Sequence, residues 1–253
     1  MTEFRYIRLT HDQSGVVTLT LCRPHKHNTL NSQMAQEITA ALKSVAARAL
    51  ILTGHGQSFC AGADLSEIGA VFDEPQKELG PELANALEDY EAPTIAAIEG
   101  HCLGGGFELA IRCDLRVAGR TARLGLPEVC RGLIPGGVIE RTAVLIGVAR
   151  AKELMFFGHP IDAETAASWG LVGHLAEPGS ALALAQKLGT QLAAGAPLAL
   201  AEIKRLLRET LTQSRAEAYA QEIAATIRLA RTADAAEGIA AFLAKRIPHF
   251  TGK

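Results

Sequence analysis

The stretch "HCLGGGFELA" (101–110) places three consecutive glycines directly before a helical pattern that carries a glutamate. Glycines 104–106 lead into "FELAIR", so free N–H groups and the positive end of the helix dipole would point out of the helix start. Such a helix start suits an oxygen atom that gains negative charge. Taken alone, the stretch is equally consistent with a structural turn.

Glu108 and Glu128 are the candidate proton-transfer groups. Glu108 lies between Phe107 and Leu109 in an apolar helix, where an unpaired carboxylate is costly and its pKa should rise. A glutamate with a raised pKa can donate a proton near neutral pH. Glu128 follows a proline in "LGLPEVCRGLIPGG" (124–137), which predicts that rigid backbone positions its side chain.

Salt bridges are the alternative explanation for both glutamates. Arg112 is close in sequence to Glu108, and Arg131 is close to Glu128. From the residues alone, the catalytic and the structural interpretations have equal weight.

A second glycine-containing segment, "FCAGADL" (59–65), follows a predicted strand directly. Small residues there let backbone N–H groups approach a ligand closely, and Asp64 comes at once after them. A tight structural turn is again an equal alternative.

Several common signatures are absent from the sequence. There is no GxxxxGK[ST], HExxH or GxSxG pattern, which disfavours the usual nucleotide hydrolases, zincins and serine hydrolases. The histidines of "HKH" (25–27) are interpreted as structural or surface residues, because no third metal ligand is apparent. We therefore expect no metal site.

Composition bounds the class of protein. The 253 residues are 48% hydrophobic and 21% charged, with a net charge of −2 and both signs interspersed, so there is no basic footprint for nucleic acid. No apolar run reaches the length of about 18 residues expected of a membrane span. The N-terminus lacks signal-peptide features, and five cysteines without a CxxC pair suit a reducing compartment. We expect a cytoplasmic protein.

The order of predicted elements favours an α/β fold. Apolar runs closed by glycine predict strands at 15–21, 47–54, 92–100 and 113–119, and helical spacing predicts a helix at 30–46. From about residue 139 the pattern turns helical, with Asp162 as a predicted cap and Asp234 with Glu237 as a predicted capping box. The polar stretch 66–91 is interpreted as a mobile segment.

Together these segments resemble the enoyl-CoA hydratase/isomerase family, the crotonase superfamily. The similarity covers nearly the whole chain and rests on the order and spacing of its motifs. They are "CRPHKHNTLNSQM" (22–34), "GHGQSFCAGADL" (54–65), "HCLGGGFELAIRCDLRVAG" (101–119), "LGLPEVCRGLIPGG" (124–137), "GHPIDAETAASWGLV" (158–172) and "EGIAAFLAKR" (237–246).

The resemblance implies a crotonase-like spiral of ββα units in residues 1–195 and a C-terminal helical oligomerisation region in 196–253. It implies a homotrimer or a dimer of trimers and an acyl-CoA thioester as substrate. Coenzyme A is then part of the substrate, and no separate cofactor or metal is required.

The resemblance also assigns site residues. The thioester oxygen would be held by the backbone N–H groups of Ala63 and Gly105, and Glu108 and Glu128 would be the catalytic pair. Substrate and coenzyme A binding is expected at Arg23, Lys26, Ala61, Gly62, Asp64, Leu65, Gly104, Phe250 and Lys253. Family hydratases keep both glutamates, whereas many isomerases keep only the second. This favours hydration of a trans-2-enoyl-CoA.

One departure from the family pattern leaves the function open. After "IPGG" the sequence reads "VIERTAV", so segment 136–143 departs from the family's further glycine-rich stretch beside the water site. The alternatives are a Δ3,Δ2-enoyl-CoA isomerase, another acyl-CoA lyase or hydrolase, and a non-catalytic acyl-CoA-binding or RNA-associated protein.

Overall fold

The computed structural model describes residues 4–67, 80–210 and 212–253. Its strands are β1 (Ile7–His11), β2 (Val16–Leu21), β3 (Ala49–Gly54), β4 (Thr94–Ile98), β5 (His101–Leu103), β6 (Leu115–Gly119), β7 (Arg123–Gly125), β8 (Ile161–Asp162) and β9 (His174–Ala176). Its helices are α1 (Ser32–Ser44), α2 (Gly80–Glu88), α3 (Gly105–Arg112), α4 (Ile139–Ile146), α5 (Val148–Phe157), α6 (Ala163–Ser168), α7 (Ala181–Ala193), α8 (Pro197–Glu209), α9 (Arg215–Leu229) and α10 (Ala233–Leu243). Short 3₁₀ helices cover Pro24–Lys26 and Pro127–Arg131.

A six-stranded sheet in the order β1-β2-β3-β4-β6-β9 organises the chain. Strand β1 is antiparallel to β2, and the remaining pairs are parallel. The inner strands are apolar and buried on both faces, which is typical of parallel sheets covered by helices. Helix α7 covers one face, and α1, α2 and α3 contribute to the core on the other.

A small sheet in the order β5-β7-β8 lies beside the large one. Strands β5 and β7 are parallel, and β7 and β8 are antiparallel. The loop after β3 is joined to β5, because Cys60 and Cys102 form an isolated parallel bridge. The chain beyond β3 and the chain beyond β4 therefore meet past the carboxyl ends of the parallel strands, where open α/β sheets bind ligands.

The four predicted strands and the helix predicted at 30–46 are confirmed within a few residues at each end. Strand β1 and the small sheet were not predicted, since their strands are short or more exposed. We expected only helices after residue 139. This expectation is wrong, because β8 and β9 lie in that part of the chain.

Two predicted helix starts have opposite outcomes. Asp162 caps α6, because its Oδ1 accepts from the Thr165 N–H at 2.7 Å. The predicted capping box at Asp234 is wrong, since Thr232 caps α10 instead. Asp234 is in the first turn, and its carboxylate accepts from the N–H groups of Thr251 and Gly252.

Part of the predicted mobile segment 66–91 is helical, because α2 begins at residue 80. Residues 68–79 of that segment lie outside the described residues. From residue 197 onward, the described chain contains α8, α9 and α10 as its regular elements, and the division at 195 stays a prediction. Within the described ranges, no helix combines the length and apolar character that crossing a membrane requires.

Candidate active site

The backbone N–H groups of Ala63 and Gly105 lie close together. A Cβ atom placed on Gly105 would be 3.6 Å from the Ala63 nitrogen, and one placed on Gly62 would be 3.8 Å from the Gly105 nitrogen. Residues 59–63 follow β3, whereas Gly105 begins α3 after β5. The two segments that the sequence singled out thus form one backbone site.

The orientation of the Ala63 N–H follows from its neighbours. The Leu30 N–H donates to the Gly62 carbonyl at 2.8 Å, and the Asp64 N–H donates to the Leu30 carbonyl at 2.7 Å. Because backbone groups alternate along an extended segment, the Ala63 N–H points away from Leu30. Gly105 is the first helical residue and has no intrahelical acceptor. Within the described ranges, neither N–H donates a hydrogen bond.

Glycine is required at two positions by the backbone conformation. Gly62 has φ +111° and Gly104 has φ +52°, a region that L side chains rarely adopt. At Gly106 the reason is close packing, since a Cβ there would lie 2.2 Å from the Cys60 carbonyl oxygen. The glycine run thus permits the two segments to approach each other.

Arg23 and Asp64 form a buried ion pair that ties this loop to the 22–31 segment. Arg23 Nη2 lies 2.8 Å from Asp64 Oδ2, and both side chains are about one-tenth exposed. Arg23 Nη1 also donates to the Thr29 carbonyl at 2.6 Å. The Arg23 and Ser66 hydrogen bonds lower the pKa of Asp64 to about 2. The pair thus holds the loop to the 22–31 segment, and the expected contact of these two residues with coenzyme A stays a prediction.

Glu108 lies one turn into α3, on the helix that Gly105 starts. Burial raises the pKa of Glu108 to about 7; the Arg112 guanidinium opposes this rise, and the charges of Glu128 and Glu88 add to it. Its Oε1 lies 3.4 Å from Arg112 Nη2. The expectation of a raised pKa agrees with the structure, and so does the expected contact with Arg112.

Glu128 lies on the 3₁₀ helix Pro127–Arg131 and contacts the start of α3. A Cβ placed on Gly104 would lie 2.9 Å from Glu128 Oε1. Burial raises the pKa of Glu128, whereas its own backbone N–H and the Arg131 charge lower it. Within the described ranges, Oε2 is buried and accepts no hydrogen bond. A buried oxygen of this kind is suited to a ligand or a water.

The structural alternative for Glu128 finds no support. Arg131 Nη1 donates to the Pro127 carbonyl at 3.2 Å, and the described residues contain no ion pair between Arg131 and Glu128. The two glutamates therefore differ. Glu108 has a long contact with Arg112, whereas Glu128 forms no salt bridge among the described residues.

Segment 136–143 borders Glu108 through Gly137. A Cβ on Gly137 would lie 3.1 Å from Glu108 Oε1, and the Gly137 carbonyl accepts from Arg112 Nη2 at 2.6 Å. Gly137 has φ +66°, and α4 begins two residues later. Segment 136–143 thus places its backbone against one of the two carboxyl groups.

The other expected binding residues are mostly at the same edge of the sheet. The Ala61 N–H donates to the His27 carbonyl at 3.0 Å, so it serves the loop itself. Lys26 is exposed at the end of the first 3₁₀ helix, and the Leu65 side chain is half exposed. Lys26 and Leu65 remain candidates for substrate contacts.

Phe250 and Lys253 are not brought to this site. The Phe250 carbonyl accepts from Arg48 Nη1, and Arg48 precedes β3 at the amino end of the parallel strands. The Lys253 carbonyl accepts from the Asp234 N–H. The expectation that these two residues bind coenzyme A stays a prediction.

Sequence reasoning missed Glu88, which accepts a hydrogen bond from Arg112 and also pairs with Arg141 Nη2 at 2.6 Å. Glu88 lies at the end of α2 in an ordinary polar stretch, so no motif marked it. A search of the described residues finds no group of three or more His, Cys, Asp or Glu side chains able to hold a metal ion.

Known proteins of similar sequence identify the family of this chain. The enoyl-CoA hydratase/isomerase family model matches residues 11–253. A 2,3-dehydroadipyl-CoA hydratase of Escherichia coli is 37% identical over 95% of this chain and 97% of its own length. An enoyl-CoA isomerase/hydratase of Mycosarcoma maydis is 37% identical over 95% of this chain and 94% of its own.

The fold is likewise shared with solved structures. An enoyl-CoA hydratase of Bacillus anthracis superposes with a TM-score of 0.93 at 33% identity, over 98% of this chain and 100% of that chain. The α/β fold expected from the resemblance is therefore confirmed as the crotonase fold. This chain belongs to the enoyl-CoA hydratase/isomerase family.

Proposed function

We propose that this protein is an enoyl-CoA hydratase that adds water across the 2,3 double bond of a trans-2-enoyl-CoA thioester. The observation that carries the proposal is the placement of two carboxyl groups with raised pKa values beside two unpaired backbone N–H donors. Family membership makes a thioester the expected ligand.

The two N–H groups would bind the thioester oxygen. Attack of water at C3 leaves negative charge on that oxygen, and hydrogen bonds from Ala63 and Gly105 stabilise it as it forms. In other enzymes the loss of a single donor of this kind costs about 2.7–4 kcal/mol of transition-state stabilisation. Because the donors are backbone groups fixed by Leu30 and the α3 start, they need no rearrangement during the reaction.

The two glutamates would hold and activate the water. One carboxylate removes a proton as the water oxygen bonds to C3, and a carboxyl group delivers a proton to C2. The unpartnered Glu128 Oε2 is an acceptor for the water, and Glu108, whose pKa is raised to about 7, can bind or release a proton near neutral pH. The reaction needs no separate cofactor or metal, because coenzyme A is part of the substrate.

The test is turnover of a panel of enoyl-CoA thioesters, beginning with crotonyl-CoA and the loss of its conjugated-thioester absorbance. The panel includes 2,3-dehydroadipyl-CoA, because an Escherichia coli relative is named for that substrate. Glu108→Gln and Glu128→Gln should each lower kcat by about 10²–10⁴-fold. Glu153→Gln, at an exposed glutamate on α5, is the control and should keep wild-type activity. Failure to hydrate any thioester of the panel would exclude the proposal.

The second candidate is a Δ3,Δ2-enoyl-CoA isomerase or another acyl-CoA lyase or hydrolase of the family. The supporting observation is the contact of Glu108 with Arg112, which leaves Glu128 as the unpaired carboxylate. Such an isomerase would move a proton between C2 and C4 with Glu128 alone. Retention of isomerase activity by Glu108→Gln, with loss in Glu128→Gln, would favour it.

A non-catalytic acyl-CoA-binding or RNA-associated role is the remaining alternative. It predicts binding of acyl-CoA without chemistry and no effect of the double glutamine variant. The paired glutamates argue against it, because burying two carboxyl groups in one site is costly without a use for them.

For coenzyme A we retain Lys26 as a phosphate contact, since it is exposed at the edge where the site opens. Lys26→Ala should raise KM with little change in kcat, because its contact would be equal in the ground and transition states. Lys187→Ala is the control. Lys187 is exposed on α7, which covers the face of the six-stranded sheet opposite to α1, α2 and α3.

We also propose a homotrimer or a dimer of trimers in the cytoplasm. The C-terminal helices expose large apolar side chains, of which Ile227, Phe242 and Leu243 are between 52% and 82% exposed. Contiguous exposed apolar surface is typical of subunit contacts. Light scattering of the purified protein tests the assembly, and a monomer at micromolar concentration would exclude it.

A further inference from the structure

Four buried or half-buried side chains of alternating charge connect α4 to the catalytic helix. Arg141 Nη2 lies 2.6 Å from Glu88 Oε1, Arg112 Nη1 contacts the same oxygen, and Arg112 Nη2 lies 3.4 Å from Glu108 Oε1. The Arg112 side chain is 11% exposed and the Glu88 side chain 16%. The row therefore runs Arg141, Glu88, Arg112, Glu108.

The Arg112 guanidinium is held away from Glu108. It donates to Glu88 through Nη1 and to the Gly137 carbonyl through Nη2 at 2.6 Å. A charge-assisted N–H to carboxylate bond is normally about 2.7–2.9 Å long, so the 3.4 Å contact with Glu108 is a loose one. Glu88 and Gly137 thus compete with Glu108 for the same cation.

The charged groups around Glu108 come from α3 itself and from the elements packed on it. Arg112 is on α3 itself, Glu88 comes from α2, Glu128 from the second 3₁₀ helix and Arg141 from α4. Strand β4 has no ionisable side chain, and β5 has His101 and Cys102, which form no hydrogen bond or ion pair with Glu108 in the described parts of the chain. Arg112 favours the ionised carboxylate, whereas Glu88 and Glu128 disfavour it.

We propose that Glu88 and Arg112 are positioning residues for Glu108, with Glu88 holding the guanidinium back so that the Glu108 carboxyl remains free to exchange a proton with substrate water. The inference rests on the proposed function, because it gives this row of charges a purpose in proton transfer. Without Glu88, Arg112 would close onto Glu108 as a direct ion pair. Without Arg112, Glu108 would lose its nearest cation.

The two variants have opposite expected effects, which a merely structural role does not predict. Glu88→Gln keeps the size of the side chain but removes a charge that raises the Glu108 pKa, and it frees Arg112 to pair with Glu108, so the Glu108 pKa should fall. Arg112→Met should raise it. In a plot of kcat/KM against pH, the change in activity caused by ionisation of Glu108 should move to lower pH in Glu88→Gln and to higher pH in Arg112→Met.

The decisive measurement is a ¹³C NMR titration of the protein labelled at the glutamate carboxyl carbons, with the Glu108 signal assigned from its loss in Glu108→Gln. Glu91→Gln, an exposed glutamate three residues after Glu88, is the matched control and should not move the titration. Shifts of the same sign in both variants, or shifts no larger than that of the control, would overturn the proposal. If Arg112→Met does not fold, an unchanged or raised Glu108 titration in Glu88→Gln overturns it alone.

The titration separates this inference from the proposed function. Lack of turnover with every enoyl-CoA would exclude a hydratase, whereas the titration reports whether Glu88 and Arg112 act on Glu108. If the Glu108 pKa shifts in opposite directions in the two variants and the wild-type protein hydrates an enoyl-CoA, the inference and the proposed function are both supported. If the wild-type protein hydrates an enoyl-CoA but the pKa does not shift in this way, only the proposed function is supported.

Discussion

The carboxyl group of Glu128 lies directly against the α-carbon of Gly104, so that a methyl group there would be 2.9 Å from Oε1. Gly104 is the N-terminal cap of α3, and its φ of +52° is one that only glycine adopts readily. The second carboxyl group and the start of the helix that bears the first thus lie so close together that only a residue without a side chain fits between them.

Gly104→Ala should therefore damage the site in two ways. The backbone strain should cost about 1–3 kcal/mol of folding free energy. Displacement of Glu128 should lower kcat/KM by up to about 10²-fold, as small misplacements of catalytic groups do. The control is Gly136→Ala, where a Cβ meets no atom within 4 Å and φ is not positive. Urea unfolding and enoyl-CoA hydration measure the two effects; equal behaviour of the two alanine variants contradicts the prediction.

The raised pKa of Glu108 predicts a pH-dependent cost in stability. Its pKa rises from 4.5 to about 7 on folding, so between those values the folded state binds more protons and the free energy of unfolding falls as pH rises. The effect is on the order of 1.4 kcal/mol for each unit of pKa shift. Glu108→Gln should remove it, so this variant should gain stability relative to the wild type between pH 4.5 and pH 7.5 in urea unfolding. A constant difference across that range would show that Glu108 titrates normally.

The Arg23–Asp64 pair predicts a large effect of removing one charge. Asp64→Asn leaves Arg23 buried without its partner, and breaking buried pairs in this way costs about 3–5 kcal/mol. Because folding lowers the Asp64 pKa to about 2, the stabilisation is complete above pH 4 and is lost as pH falls through 2. The difference from the wild type should therefore shrink in acid.

Chemical unfolding at pH 7 and at lower pH measures this difference, with exposed Glu153→Gln on α5 as the control. If Asp64→Asn keeps full stability at pH 7 but weakens substrate binding, Asp64 contacts the ligand and the structural role is wrong.

Asp234 fixes the end of the chain. Its Oδ1 accepts from the Thr251 N–H at 2.7 Å and its Oδ2 from the Gly252 N–H at 2.9 Å. Asp234→Ala should remove the protection of these two amides against hydrogen exchange, while the amides of β3 keep theirs. Glu222→Ala on α9 is an exposed control. Unchanged protection at residues 251 and 252 would mean that Arg48 and the Phe250 carbonyl suffice to hold the tail.

Local patterns in the sequence determined the inner strands, the long first helix and the two glycine-containing segments. Short apolar runs closed by glycine favour buried strands, and "GGGFELAIR" carries its own helix start. Short strands such as β5 and β8 were not predicted, because two or three residues are too few to show a periodic pattern.

The candidate site, too, could be predicted from the sequence only in part. Glu108, Glu128, Ala63 and Gly105 could be proposed from residue type, glycine spacing and family resemblance. Arg23 and Asp64 were chosen from the same segments, but whether a charged side chain faces a ligand or a buried partner depends on residues that are 41 positions apart in sequence. The contacts of Phe250 and Lys253 with Arg48 and Asp234 were likewise not predictable from the sequence, and their expected role in coenzyme A binding stays a prediction.

By itself the sequence thus determined which groups are available for the chemistry, because residue type and local backbone preference are properties of short segments. Only the tertiary structure decided which of those groups meet. Parallel strand pairing brings the loop after β3 against β5, and helix packing brings Glu88 against Arg112 beside Glu108. The pKa of a carboxyl group depends on burial and on such long-range charges, so the property that suits Glu108 to proton transfer is created by the folded chain.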